Sequence, residues 1–142
     1  MMQIILPFQI RFDIVNMKQI SIKHISNVHS DALRALALYS EELNIFQERL
    51  EEIGSANTGL EVSIQVEHFQ NLIIIHKEQI SEIRSLLQDN LHAISGKVSA
   101  NSGFLDESLM SENYRLNEQF LNEESLFREM KVEFYQFAAK WM

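Results

Sequence analysis

The stretch from residue 62 to residue 94 places mostly apolar side chains at intervals that alternate between four and three residues without a break. This spacing is typical of a long helix whose apolar stripe packs against other helices. At a rise of about 1.5 Å per residue, the helix would be about 50 Å long. Its stripe consists of Val62, Val66, Phe69, Ile73, His76, Ile80, Ile83, Leu87, Asn90 and Ile94.

Two further segments carry the same repeat, one from Ala32 to Ile53 and one from Leu109 to Trp141. Short connections between such segments make consecutive helices antiparallel neighbours. The sequence therefore predicts an all-α protein, an antiparallel three-helix bundle with coiled-coil-like heptad packing. Its helices are expected at about 27–53, 59–95 and 104–140, which makes helix one the shortest.

The glycines support these boundaries, because all four fall at the predicted connections: Gly54, Gly59, Gly96 and Gly103. Folding the chain about the connections also predicts a register. Residue n of helix one should lie opposite about residue 113 minus n of helix two, and residue n of helix two opposite about 204 minus n of helix three. This register brings Phe69 next to Phe134 and Asn90 opposite Asn113.

Residues 1–16 differ from the rest of the chain, since residues 8–14 alternate apolar and polar side chains with the period of a strand. A single strand without a partner is not stable. Two interpretations remain open: the reading frame begins too early and Met17 is the natural start, or these residues form a flexible arm. Residues 17–142 are then one helical-bundle domain.

Composition narrows the class of protein. The chain of 142 residues has a net charge of −8, which disfavours nucleic acid and anionic membrane surfaces as partners. It contains no cysteine, which is compatible with a cytoplasmic location and leaves no thiolate for metal binding or catalysis. The sequence contains no Gly-x-Ser-x-Gly elbow and no Gly-rich phosphate loop, so we expect a non-enzymatic protein without a cofactor.

Residues 65–71 read QVEHFQN, and the chain ends in KWM. Both features resemble a family of small, all-helical, uncharacterised bacterial proteins, as does the Asn57-Thr58 connection. The resemblance covers the chain from about Tyr39 to the C-terminus and implies an all-helical fold but no activity. The chain departs from the family pattern at Ser85 and Asn90, where the family has histidines. A histidine site of the family at these positions would be absent here.

Four polar residues occupy seam positions of helices two and three: His76, Asn90, Asn113 and Glu123. The predicted register places His76 within about one helical turn of Glu123. A small-ligand or metal-binding bundle using these two residues is therefore one functional hypothesis. The sequence has no Glu-x-x-His and no His-x-x-x-His pair, so too few ligands are expected for a metal site. A buried, hydrogen-bonded polar pair is the favoured interpretation.

Helix two carries more apolar residues than its seam requires: Ile64, Leu72, Ile74, Ile75 and Leu86. Exposed apolar surface of this kind usually marks an interface, and a two-fold dimer is the commonest way to bury it. The leading hypothesis is therefore an interaction or scaffold protein that self-associates, most simply as a homodimer, or binds a partner helix. In the alternative, the segment before Asn27 covers this surface in a monomer.

Overall fold

A computed structural model describes residues 22–101 and 107–142 of the chain. These residues form three helices, α1 (Ile22–Ala56), α2 (Leu60–Asn101) and α3 (Glu107–Trp141), and no strand. Each helix packs against both of the others. The predicted all-α three-helix bundle is therefore confirmed.

The core follows the predicted seams closely. On α2, every seam residue is buried except Val66, which is partly buried. Aromatic rings fill the centre of the bundle: Phe69 meets Phe134 edge-to-face with ring centroids 5.4 Å apart, and Phe46 lies 4.7 Å from Phe134. The predicted contact between Phe69 and Phe134 is confirmed, and with it the register of α2 against α3.

The prediction that helix one is the shortest was wrong. Helices α1 and α3 have 35 residues each, and α1 begins at Ile22 rather than near residue 27. The extra turn adds the buried side chain of Ile25 to the end of the bundle. This burial outweighs the helix-starting preference of the serine and asparagine residues nearby, because tertiary packing routinely overrides local propensity. The start of α1 therefore lies beside the start of α3, where Ile25 and Met110 line the same cavity.

Two of the predicted glycine stops are also wrong. Gly54 lies inside α1, which continues to Ala56, and Gly96 lies inside α2, which continues to Asn101. Glycine in a helix costs only about 1 kcal/mol relative to alanine, which packing along a long seam readily offsets. Gly54 also lies close to α2, since a Cβ atom there would be 3.7 Å from a methyl group of Val66.

The register of α1 against α2 differs from the prediction by about one heptad. The predicted register places His29 opposite Arg84, whereas the imidazole of His29 contacts Asn90. Likewise Gln47 accepts a hydrogen bond from Lys77, further along α2 than predicted. A heptad pattern is unchanged by a shift of seven residues, so the turn geometry decides which repeat pairs with which.

Some predictions fall outside the described residues, namely the N-terminal segment 1–16 and the connection that contains Gly103. Among the described helices, none is both long and apolar enough to cross a membrane.

Candidate interaction groove

A groove of about 700 Å³ runs along the bundle between α2 and α3. All the residues that line it belong to these two helices, so it lies on the face turned away from α1. The helical repeat explains this position. Leu72 and Leu86 each precede a buried seam residue and therefore border the core on the side away from α1. We call this surface the α2–α3 groove.

Two exposed apolar residues lie near the middle of the groove, among polar lining residues that include Gln79 and Asn122. Ile75 on α2 and Leu126 on α3 line it and are 52% and 45% exposed. Leu72 and Leu86 are partly buried and pack against the core beside them. Apolar side chains this exposed gain free energy when another surface removes them from water.

His76 and Glu123 lie at the floor of the groove. Both side chains are nearly fully buried, and His76 Nδ1 is 2.5 Å from Glu123 Oε2. A carboxylate only accepts hydrogen bonds, so we assign the proton to Nδ1, which donates to Glu123. The ring of Phe127 packs edge-on against the imidazole, with centroids 6.0 Å apart. The predicted proximity of His76 and Glu123 is thus a direct contact that joins α2 to α3.

This pair supplies two potential metal ligands, one imidazole and one carboxylate. Protein zinc sites use at least three protein ligands, with water or substrate in any open position. Within residues 22–101 and 107–142, no group of three or more His, Cys, Asp or Glu side chains is arranged to hold a metal ion. The geometry instead matches a buried polar pair whose hydrogen bond links the two helices.

The predicted pairing of Asn90 with Asn113 is not formed as a hydrogen bond. Asn90 Oδ1 lies 3.1 Å from His29 Nε2, so the imidazole N–H donates to the asparagine oxygen across α1 and α2. Neither the side-chain oxygen nor the nitrogen of Asn113 has a partner, although both atoms are buried. Asn113 and His29 both line a small cavity of about 120 Å³ between α1 and α3. Because α1 is shifted along α2 relative to the predicted register, His29 reaches Asn90 and becomes its partner in place of Asn113.

The five apolar residues predicted as an interface do not form one surface. Leu72, Ile75 and Leu86 line the α2–α3 groove, whereas Ile64 and Ile74 are not among its lining residues. Ile74 is 55% exposed, almost the same as Ile75. One residue turns a helix by about 100°, so Ile74 points to the flank of α2 away from the groove. Ile64 is 59% exposed and lies beyond the end of the groove marked by His68.

Polar contacts join α1 to α3 on another side of the bundle. Tyr39 stacks on Phe127, and its hydroxyl donates to Glu124 Oε2 at 2.6 Å. Burial raises the pKa of Tyr39, and the neighbouring Glu124 carboxylate raises it further. Lys131 Nζ donates to Glu42 at 2.5 Å, and this hydrogen bond raises the pKa of the lysine.

Comparisons with protein-family models, curated proteins and solved structures found no match. The resemblance to a family of uncharacterised bacterial proteins therefore stays a prediction from the sequence.

Sequence reasoning missed the contribution of α3 to the groove. Leu126 precedes the buried Phe127 and occupies the same place in its repeat as Leu72 does before Ile73. Gln119 and Glu133, seven residues to either side of Leu126, also line the groove. The signal was present in the sequence as an apolar residue next to a seam position on two predicted neighbours. The sequence could not identify the groove, because the position of α1 determines which sides of α2 and α3 remain uncovered.

Proposed function

We propose that this chain is a non-enzymatic helical-bundle interaction or scaffold protein that self-associates, as a homodimer, through the α2–α3 groove. A partner helix from another protein is the alternative occupant. The observation that carries the proposal is the exposed apolar centre of the groove at Ile75 and Leu126. Surfaces of this kind are stabilised by docking to a complementary surface, and closed two-fold dimers are the commonest homo-oligomers.

Two adjacent isoleucines provide a matched test. We expect the full chain to be dimeric in sedimentation equilibrium at tens of micromolar protein. Ile75→Glu should produce monomers, because a charge in the apolar centre would have to be desolvated on association. Ile74→Glu introduces the same charge at an equally exposed position on the other flank, so it should leave the dimer intact.

Circular dichroism separates dissociation from unfolding, since both variants should keep the helical signal of the wild type. A wild-type chain that is monomeric at these concentrations would contradict self-association. Equal dissociation by both variants would contradict the assignment of the interface to the groove.

The alternative function is a small-ligand or metal-binding bundle that uses His76 and Glu123. The contact between the two side chains at the groove floor is the observation in its favour. Elemental analysis after dialysis tests it: stoichiometric iron, zinc or manganese that is lost in His76→Ala would place this function first.

We propose a cytoplasmic protein that binds neither nucleic acid nor membranes, and the net charge of −8 supports this because phosphate groups would be repelled. We also propose that the chain belongs to the bacterial family that its QVEHFQN segment resembles.

A further inference from the structure

The α2–α3 groove carries negative charge that nothing nearby neutralises. Glu82 on α2 and Glu129 and Glu133 on α3 line the groove, and all three side chains are exposed. Among the described residues, no lysine or arginine lines the groove, and none of these three carboxylates belongs to an ion pair. Carboxylates grouped on a concave surface attract cationic groups.

Two lysines from the same stretch of α2 and α3 are held on the side of α1 instead. Lys77 on α2 donates a hydrogen bond to Gln47 of α1. Lys131 on α3 forms an ion pair with Glu42 of α1. Neither lysine lines the groove, so the charges of α2 and α3 are segregated, with cations towards α1 and carboxylates in the groove.

The carboxylates lie towards both ends of the groove. The contact between His76 and Glu123 fixes the level of α2 against α3, and the two helices run antiparallel. Glu82 lies six residues beyond His76 on α2, and Glu129 lies six residues beyond Glu123 on α3. Because the helices run in opposite directions, these two carboxylates lie on opposite sides of the contact, about 18 Å apart along the groove at about 1.5 Å per residue.

Two exposed apolar side chains lie between these carboxylates. Ile75 directly precedes His76 on α2. Leu126 lies three residues after Glu123, in the direction of Glu129. Both are therefore within about 5 Å of the level of the contact, measured along the helices. The groove thus presents apolar surface between two anionic ends.

On the basis of the proposed interaction function, we propose that the α2–α3 groove binds a basic amphipathic helix of another protein. Apolar residues in the middle of this partner helix pack on Ile75 and Leu126. Lysine or arginine residues about three helical turns apart on the same face reach Glu82 at one end of the groove and Glu129 at the other. Recognition of a helix in a groove combines apolar anchors on one face with complementary charges.

A second copy of this chain is the competing occupant of the groove. A two-fold contact through the groove would bring the same three carboxylates from each copy to one interface, where like charges repel. A basic helix brings charges of the opposite sign. We therefore expect the partner helix to displace the second copy and to form a complex of one chain with one helix.

A designed peptide is the probe for this partner. It is an alanine-based helix of about 18 residues, the length that spans the groove from His68 to Leu86, with central leucines and lysines about three turns apart. Fluorescence anisotropy should show saturable binding to the full chain at low salt, and added salt should weaken it. The same peptide with glutamates in place of its lysines should bind at least about tenfold more weakly.

Matched charge reversals locate the binding surface. Glu82→Lys combined with Glu129→Lys should weaken the lysine peptide at least about tenfold and favour the glutamate peptide. Glu48→Lys combined with Glu51→Lys changes the net charge equally, at exposed positions of α1 outside the groove, and should leave the affinity within about twofold. Circular dichroism should show wild-type helicity for both double variants, since all four positions are exposed.

A milder pair of substitutions covers the case in which the reversal at the groove disturbs folding. Glu82→Gln combined with Glu129→Gln removes both charges without adding new ones and should also weaken the lysine peptide. Equal weakening by the α1 and groove reversals would overturn the proposed partner, because only the net charge would then matter. Equal binding of the lysine and glutamate peptides would overturn it as well.

Sedimentation equilibrium of the full chain with the lysine peptide separates this proposal from self-association. The expected species is one chain with one peptide. A dimer that does not bind the peptide, or that binds it without dissociating, would overturn the basic partner helix in the groove and leave self-association standing. A monomeric chain whose peptide binding is lost in the groove reversal would overturn the homodimer and leave the partner helix standing.

Discussion

Asn90 and Asn113 occupy equivalent seam positions on α2 and α3, yet their surroundings differ. Asn90 accepts a hydrogen bond from His29, whereas both side-chain polar atoms of Asn113 are buried without a partner. A buried polar group without a hydrogen bond destabilises the folded state by about 1–3 kcal/mol. The two asparagines should therefore respond in opposite directions to the same substitution.

We expect Asn113→Leu to raise the free energy of unfolding by about 1–3 kcal/mol, because it removes the unpaired polar group and adds apolar contacts. Asn90→Leu should lower it by a similar amount, since it leaves the buried His29 Nε2 unpaired. Urea denaturation measures both values. Asn71→Leu, an exposed substitution on α2, is the control and should change stability by less than about 0.5 kcal/mol. A loss of stability in Asn113→Leu would contradict this account.

At the scale of the elements, polar residues beside the seams fix how α1 lies against α3. The Tyr39 hydroxyl donates to Glu124, and Lys131 donates to Glu42, so each contact joins the two helices. The pKa values of Tyr39 and Lys131 are both raised in the folded state. Their contribution to stability is present at neutral pH and is lost as the pH rises.

Alkaline titration of Tyr39→Phe tests the tyrosine contribution. The unfolded chain loses the phenol proton at about pH 10 while the folded chain still holds it, so alkali favours unfolding. At about pH 8 we expect the variant to be less stable than the wild type by about 0.5–1.5 kcal/mol, the value of one hydrogen bond. This difference should shrink above pH 10. A difference that stays constant across urea unfolding series at these pH values would contradict the assignment.

At the scale of the whole molecule, aromatic rings connect the three helices through one cluster. Phe46 on α1 contacts Phe134 on α3, which contacts Phe69 on α2. Phe69 also lies 5.0 Å from the ring of Phe137. Because one cluster holds all three helices, we expect the bundle to unfold in a single transition.

Phe69→Ala should lower the free energy of unfolding by about 3–5 kcal/mol, because it leaves a cavity among rings from all three helices. Chemical denaturation followed by circular dichroism measures this loss. Tyr135→Ala removes a half-exposed ring at the edge of the same cluster and should cost clearly less. A loss below about 1 kcal/mol for Phe69→Ala would contradict the central place of this ring.

Much of the fold and part of the candidate site could be predicted from the sequence. The alternation of four and three residues identified the three helices and their buried faces, and folding the chain about the second connection predicted the contact of Phe69 with Phe134. The same folding placed His76 near Glu123. Of the five apolar residues predicted as an interface, Leu72, Ile75 and Leu86 line the groove, whereas Ile64 and Ile74 do not. The buried face of each helix depends on positions within a repeat, and a repeat is a local property of the chain. The pairing of α2 with α3 depended in addition on the position of the connection.

Only the tertiary structure decided which repeats of α1 and α2 pair and where each helix ends. A shift of α1 by seven residues leaves every seam residue facing the core, so the sequence could not assign His29 to Asn90. The burial of Ile25 extends α1, and the packing of α1 on one side of α2 leaves the other side open as a groove. Neighbouring side chains on a helix point about 100° apart, and the positions of the other two helices determine which of them lies in the groove. Ile75 therefore lines the groove and Ile74 does not, although both are exposed.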